Sequence, residues 1–491
     1  MNFRRPWERV AWFRSHPLTT MCLMLIGCAV GTHLLANWRA EVRWQRYCAA
    51  ARARGVKLTL AEFAPPEIPD TENFAQIPML RAIFTGSVQR PMELPVVGKS
   101  QPTFGNPVKG ERIDWKAWQK FFKDAGWLTE TTDNAPRDVL RALEHYAPQF
   151  IEWSEWRTRP RCRFNLDTRD VMAMPLPHLS TFVDAAKLFS LRLRAHLVLG
   201  DSATAYVDFT EGMQAYHKLS EEPVLISGLV RISALTTILA AVGDGLAQRA
   251  WDESELKGIA QDLSSIRVCA DYLEAFSSER GFGNQFGDEL IAMSPQQRAQ
   301  ILTAVSAAVA WSNGRNYPPS WAYLIFPKRL YRDNQLRCNR HMDEICARVT
   351  GDQFQPSTGT PTSLENLTGL DAIYYCIFSP SNGIFAEVGS RYAQLRTQLD
   401  ETRLAIALER CRTARGAYPE RLAELVPDFI AALPVDTYSS QSLIYRRKDG
   451  GTFFLYGVGK DRTDENGKID PKKSEHKQPD DVWLFAPPPS K

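Results

Sequence analysis

Between Arg14 and Arg39 the chain carries no Lys, Arg, Asp or Glu, and residues 15–38 read SHPLTTMCLMLIGCAVGTHLLANW. As a helix rising roughly 1.5 Å per residue, this run spans about 36 Å, enough to cross a bilayer with some tilt. It shows no amphipathic stripe, which argues against a helix packed in a soluble core. A membrane anchor over 15–38 is therefore expected, with the lipid bilayer as its partner. Arg4, Arg5, Arg9 and Arg14 precede the run and Arg39, Arg43 and Arg46 follow it, so basic residues alone do not orient it. A short basic N-terminus before a single span as a rule stays cytoplasmic. That makes 1–14 a short cytoplasmic tail and leaves the bulk of the chain on the extracytoplasmic side of the inner membrane. Trp12, Phe13 and Trp38 sit where interfacial aromatics belong. Two other readings stay open: a cleaved signal peptide, and a lipidated Cys28 after Leu25-Ile26-Gly27.

The chain has 491 residues, 23% charged, with a formal net charge of +3. That length accommodates two or three domains with cores of their own. A charge this near neutral gives no basis for nucleic acid binding, and none is expected. Thirteen Trp and 24 Phe favour packed structure over disorder. The nine cysteines, including Cys338, Cys346 and Cys376, follow no CxxC or zinc-module spacing, and buried free thiols are expected for most.

Residues 39–110 read as a stalk that continues the anchor helix, then a Pro-rich connector in which RPMELPVVGKSQP suits a short strand. Residues 111–385 read as an α-helical body. Helical periods run over 115–127, from Pro136 until Pro148 ends or kinks that helix, over 178–199 and 202–220, and from Pro223 through residue 250. The segment 224–242 is strongly apolar, yet it contains Arg231 and suits a central core helix better than a second span. Asp252 and Glu255 have capping-box spacing for a helix over 253–279. Gly281-Phe282-Gly283 reads as a turn after it. Helix then resumes over 329–349 and 386–415. Helix, Gly-Asp loop, helix is the rhythm of helical pairs, without a fixed repeat period.

Residues 386–491 change character. A long helix ends at Gly416-Ala417-Tyr418-Pro419, and ERLAELVPDFIAALPVD follows as a short helix. SLIYRR and TFFLYGV then form a hairpin around Asp449-Gly450-Gly451, and DDVWLF a closing strand. These pieces, with Leu422, Leu425, Pro427, Leu433-Pro434-Val435-Asp436, Tyr445, Tyr456-Gly457-Val458-Gly459 and Asp480-Asp481, resemble the C-terminal domain of major, G-type type II secretion pseudopilins. Residues 191–232 and 251–281 resemble large membrane-anchored helical proteins of planctomycetes and verrucomicrobia that carry the same terminal module. The resemblance does not reach the pseudopilin assembly signal, a cleaved Gly followed by Phe-Thr-Leu-Ile-Glu, which nothing at the apolar run matches. It implies a fold without a reaction.

The segment 459–481 offers Asp461, Asp464, Asn466 and Asp481 as hard oxygen donors in a glycine-containing loop, a set suited to Ca²⁺. The resemblance implies the same ion, because G-type pseudopilins bind calcium in their C-terminal loop. The spacing is not that of an EF-hand, and a solvated polar loop closing the hairpin is the competing reading.

No HExxH, GxSxG, Walker A or GxGxxG motif occurs, and the eight histidines are dispersed. His341, Asp343 and Glu344 share one helix, and His217 has no partner near it in sequence; structural roles are expected for these. The expected fold is mainly α: an N-terminal transmembrane helix, an irregular α-helical array and a small C-terminal α+β pseudopilin-like module. The expected function is a membrane-tethered extracytoplasmic scaffold or interaction subunit with a protein partner. A component of a secretion or pilus-like assembly, and a hydrolase whose site is scattered along the chain, are the alternatives.

Overall fold

The computed structural model of the chain describes residues 16–97, 101–105, 112–166, 174–222, 224–313, 320–351, 353–354, 381–448, 451–459, 462–467 and 482–483. The fold is mainly helical. Its helices are α1 (Pro17–Ala53), α2 (Pro78–Phe84), α3 (Trp115–Asp124), α4 (Ala135–Leu143), α5 (Ala147–Trp156), α6 (Leu179–Val198), α7 (Ser202–His217) and α8 (Leu225–Gln248). They continue with α9 (Glu253–Ser264), α10 (Val268–Ala292), α11 (Pro295–Asn313), α12 (Ser320–Ile325), α13 (Lys328–Cys346) and α14 (Ser381–Arg415). Strands β1 (Val349–Thr350) and β2 (Gln353–Phe354) pair with each other. Strands β3 (Ile444–Lys448), β4 (Thr452–Gly457) and β5 (Val482–Trp483) form an antiparallel sheet in that order, with Tyr445 opposite Leu455 and Tyr456 opposite Trp483.

The chain divides into two compact units. The first comprises Met1–Thr59, Arg280–Asp343 and Pro361–Gly383. Within it α1 has two characters. Residues 17–39 include none that is buried, and this part is long and apolar enough to cross a membrane once. From Ala40 on, Ala40, Trp44, Cys48 and Ala51 recur at helical spacing on a buried face, and all but Ala40 join Leu58 and Leu336 in a small core. Polar contacts fix this half: Asn37 Oδ1 accepts the Arg329 N–H at 3.0 Å, and Arg332 Nε donates to Glu41 at 2.7 Å. Asp343 collects Arg280 at 2.6 Å, Tyr47 at 2.9 Å and Arg54 at 3.2 Å, so this acid of the His341 segment is a structural junction.

The second unit comprises Leu60–Glu279, Glu344–Thr360 and Ile384–Lys491. Its centre is the packing of α6, α7 and α8. Gly200 takes a left-handed φ of 79°, and Asp201 then caps α7 by accepting the Thr204 N–H at 3.1 Å. The segments before α6 add an aromatic core that includes Phe74, Trp118, Trp153, Phe182 and Phe189. In α8, Arg231 is buried with Asp271 at 2.9 Å, and its guanidinium lies 4.4 Å from the centre of the Tyr216 ring. A core helix thus holds the one charge that its apolar stretch contains.

Four expectations change in detail. Pro148 does not end α4; it lies in the first turn of α5, where its missing N–H costs nothing. The helix expected over 253–279 breaks after Ser264, because the Ser264 and Ser265 hydroxyls donate back to Gln261 O and Asp262 O at 2.7 Å and compete for helical carbonyls. Gly281-Phe282-Gly283 is not a turn but lies inside α10, where Asn284 and Gly287 just beyond it pack against Gln335. The stretch 90–97 forms no strand. The capping box stands as read: Asp252 accepts the Glu255 N–H at 2.8 Å, and Glu255 accepts the Asp252 N–H at 2.9 Å. Cys48, Cys162 and Cys411 are buried free thiols; Cys376, residues 1–14 and the Asp449-Gly450 turn lie outside the described residues.

Candidate ligand cleft

In the second unit a cleft of about 500 Å³ lies between α9, α14 and the loop over 429–435. On α14, Arg396, Asp400 and Arg403 are spaced four and three residues apart and so share one face. Arg396 Nε donates to Asp400 Oδ2 at 2.6 Å, and Arg403 Nη1 to Asp400 Oδ1 at 3.4 Å. Arg403 Nη2 also donates to Leu263 O at 2.8 Å, at the end of α9, where the Ile266 N–H reaches the same carbonyl at 3.4 Å. Burial pushes the Asp400 carboxyl up, and the two guanidinium groups pull it back down.

The facing wall is apolar. Phe429, Ile430, Leu433, Pro434 and Val435 line it, all half-buried. Hydrogen bonds from Phe429 N–H and Ile430 N–H to Leu425 O, at 2.9 and 3.2 Å, fold the start of this loop, and Arg410 Nη1 holds Phe429 O at 3.2 Å. The lining therefore offers two guanidinium groups against one carboxyl group, together with an apolar surface. Among the described residues no His or Cys lines it, and its Ser264 hydroxyl is committed to Gln261 O. Such a site suits binding of an apolar segment with a negative charge.

Directly behind the cleft lie two buried acids. Glu401 Oε1 accepts the Gly457 N–H at 3.0 Å. Asp436 Oδ1 accepts Tyr438 N–H at 3.0 Å, Ser439 N–H at 2.6 Å and the Ser439 hydroxyl at 2.8 Å. Among the described residues, Glu401 Oε2 and Asp436 Oδ2 have no hydrogen-bond partner. Burial holds the Glu401 carboxyl well above the usual carboxylate range, and the neighbouring Asp436 and Asp400 push it in the same direction.

Other polar clusters of the second unit do not line this cleft among the described residues. His178 Nε2 is 2.7 Å from Glu222, which also accepts from the Ser227 hydroxyl. The carboxylate stands between the other two groups, so the serine does not face the imidazole as a nucleophile would face its base. Burial pushes Asp208 up to about 7, while Arg192 lies 3.2 Å away in an ion pair without hydrogen-bond geometry. His217 does have a partner, distant in sequence: Asp262 at 3.1 Å. These groups join helices and serve packing.

Of the residues expected to hold a metal, Asp461 and Asp481 lie outside the described residues. Asp464 and Asn466 are brought together. Asp464 Oδ1 accepts from Tyr456 Oη and from the Asn466 N–H, both at 2.8 Å. Arg446 donates to Asn466 Oδ1 at 3.1 Å and reaches Asp464 Oδ2 at 3.5 Å. Among the described residues no three His, Cys, Asp or Glu side chains converge as a metal site.

Against known proteins, no family model matches this chain, and neither a curated protein nor a solved structure matches it. The cleft residues are the ones that reading the sequence missed. Their signal is present but faint: Arg, Asp and Arg at helical spacing inside 386–415, and the apolar run FIAALPV, expected as part of a short helix over ERLAELVPDFIAALPVD, where the structure has one 3₁₀ turn over Leu422–Leu425 and then loop.

Proposed function

We propose that this protein is a membrane-tethered binding subunit, anchored through the first turns of α1 with its body extracytoplasmic. In this reading the cleft receives an extended apolar segment of a partner protein that carries an acidic side chain. The observation that carries it is the cleft lining, an apolar wall facing Arg396 and Arg403 with a single carboxyl group between them. Charge complementarity of that kind selects partners and sets register, while the apolar wall supplies affinity. The pseudopilin resemblance, carried by the order long helix, short turn, hairpin and closing strand, is a further reason for proposing a role in contacts between proteins.

The test is photo-crosslinking from position 431 in the full-length protein in its native membrane. Ala431 is exposed on the cleft wall, so a photoreactive residue fits there. One discrete adduct is expected, reduced at least about tenfold by Arg403→Glu, in line with truncating or reversing a charge at an interface. Absence of an adduct, or one that Arg403→Glu leaves unchanged, overturns the reading.

A further inference from the structure

Glu401 is fully buried and Asp436 is 2% exposed, and among the described residues neither forms an ion pair with Lys, Arg or His. Two neighbouring buried carboxylates without a counter-charge are expensive; Asp436 Oδ1 has three donors, whereas among the described residues Glu401 has only the Gly457 N–H, so Glu401 is the group that a proton relieves. Both acids meet at Gly457. Its N–H binds Glu401, and any Cβ at that position would collide with Asp436 Oδ2. The groups facing them are few. On α14, Asp400 turns to the cleft with Arg396 and Arg403, and Thr397 pairs its hydroxyl with Thr437 at 3.2 Å. From β4 only the Gly457 backbone is supplied, while the neighbouring Tyr456 hydroxyl is bound to Asp464. A metal ion of the calcium type needs six or more oxygens. A proton needs one.

We propose that Glu401 and Asp436 form a proton-operated latch, in which a proton on Glu401 Oε2 holds residues 429–436 against α14. The coupling is direct, because consecutive residues do both jobs. Asp400 and Val435 line the cleft, and Glu401 and Asp436 lie behind it. Regulation of ligand entry rests on the binding role proposed above; the latch does not. It is read on the protein without a partner, so its failure and the failure of the crosslink are separate results.

The sign follows from linkage. Glu401 holds its proton more tightly in the folded protein than in the unfolded chain. Its contribution is complete below the ordinary carboxylate range and is lost as pH rises through the folded-state value. Hydrogen exchange of the full-length protein, corrected for intrinsic rates, should show protection over 429–439 falling about tenfold or more between about pH 5 and about pH 9. Glu401→Gln keeps the acceptor for Gly457 and adds a permanent donor toward Asp436, and its profile should be flat. Should that variant fail to fold, the wild-type series and Asp436→Asn decide. A wild-type profile without pH dependence overturns the latch. So does recovery of protection at high pH on adding calcium chloride alone, which would make the site a metal site.

Discussion

Helices α1 and α8 each contain a stretch long and apolar enough to cross a bilayer, and the two meet opposite fates. The first turns of α1, through residue 39, have no buried residue, whereas α8 buries Leu235, Ile238, Leu239, Val242 and Leu246 among others. Glycines show the same contrast. Gly27 and Gly31 of α1 have open space around them. In α8, Gly245 makes room for the Trp251 indole, whose Nε1 donates to Val242 O at 3.2 Å, and Gly228 makes room for the Tyr392 hydroxyl. The difference teaches that apolar length selects candidates for a membrane, and that a buried charge with its partner marks the helix that belongs to a core. Arg231 is the residue that separates the two helices.

The largest test of that contrast is Arg231→Leu. It makes α8 look still more like a span, but it leaves Asp271 without its counter-charge, with the Tyr216 hydroxyl still bound to it, and should cost roughly 3–5 kcal/mol of stability by denaturant titration. A stability equal to wild type would mean that the Arg231 pair is not what fixes α8 in the core. Next in size is the converse change, Leu25→Arg. It places a charge in the exposed apolar turns of α1 and should cost about 2.5–3.5 kcal/mol of membrane insertion, read as protein shifting out of the membrane fraction. Unchanged membrane retention would show that these turns are not the anchor. The smallest effect separates the glycines: Gly245→Ala should lose about 1–3 kcal/mol as the methyl meets Trp251, while Gly27→Ala should lose none. Equal losses at both positions would erase the distinction.

Much of the helical framework was legible. The observed α6, α7 and α8 lie within a few residues of their apolar periods, and the cap at Asp252 was readable from side-chain chemistry. Errors came where a local signal had two uses. Pro148 serves as well at a helix start as at a stop, and Gly281-Phe282-Gly283 remains helical once its helix is packed. The cleft was not legible. Arg396 and Arg403 look like solvated charges on a long helix until Leu263 and the 429–435 loop are placed beside them. Glu401 and Asp436 are 35 positions apart, at 401 and 436, with no motif connecting them.

What the sequence determined by itself is local: an uncharged run long enough to span a bilayer, helical periods, caps, and a hairpin near the C-terminus. These follow from hydrogen bonding and side-chain sterics within a few residues, so a short window of sequence contains them. Tertiary structure alone decided which of two apolar helices is a core helix, where Arg231 finds its counter-charge, and that two acids meet at Gly457 behind an arginine-lined cleft. Burial and electrostatics depend on which distant segments converge, and the energy of a charge is set by the neighbours that replace its water.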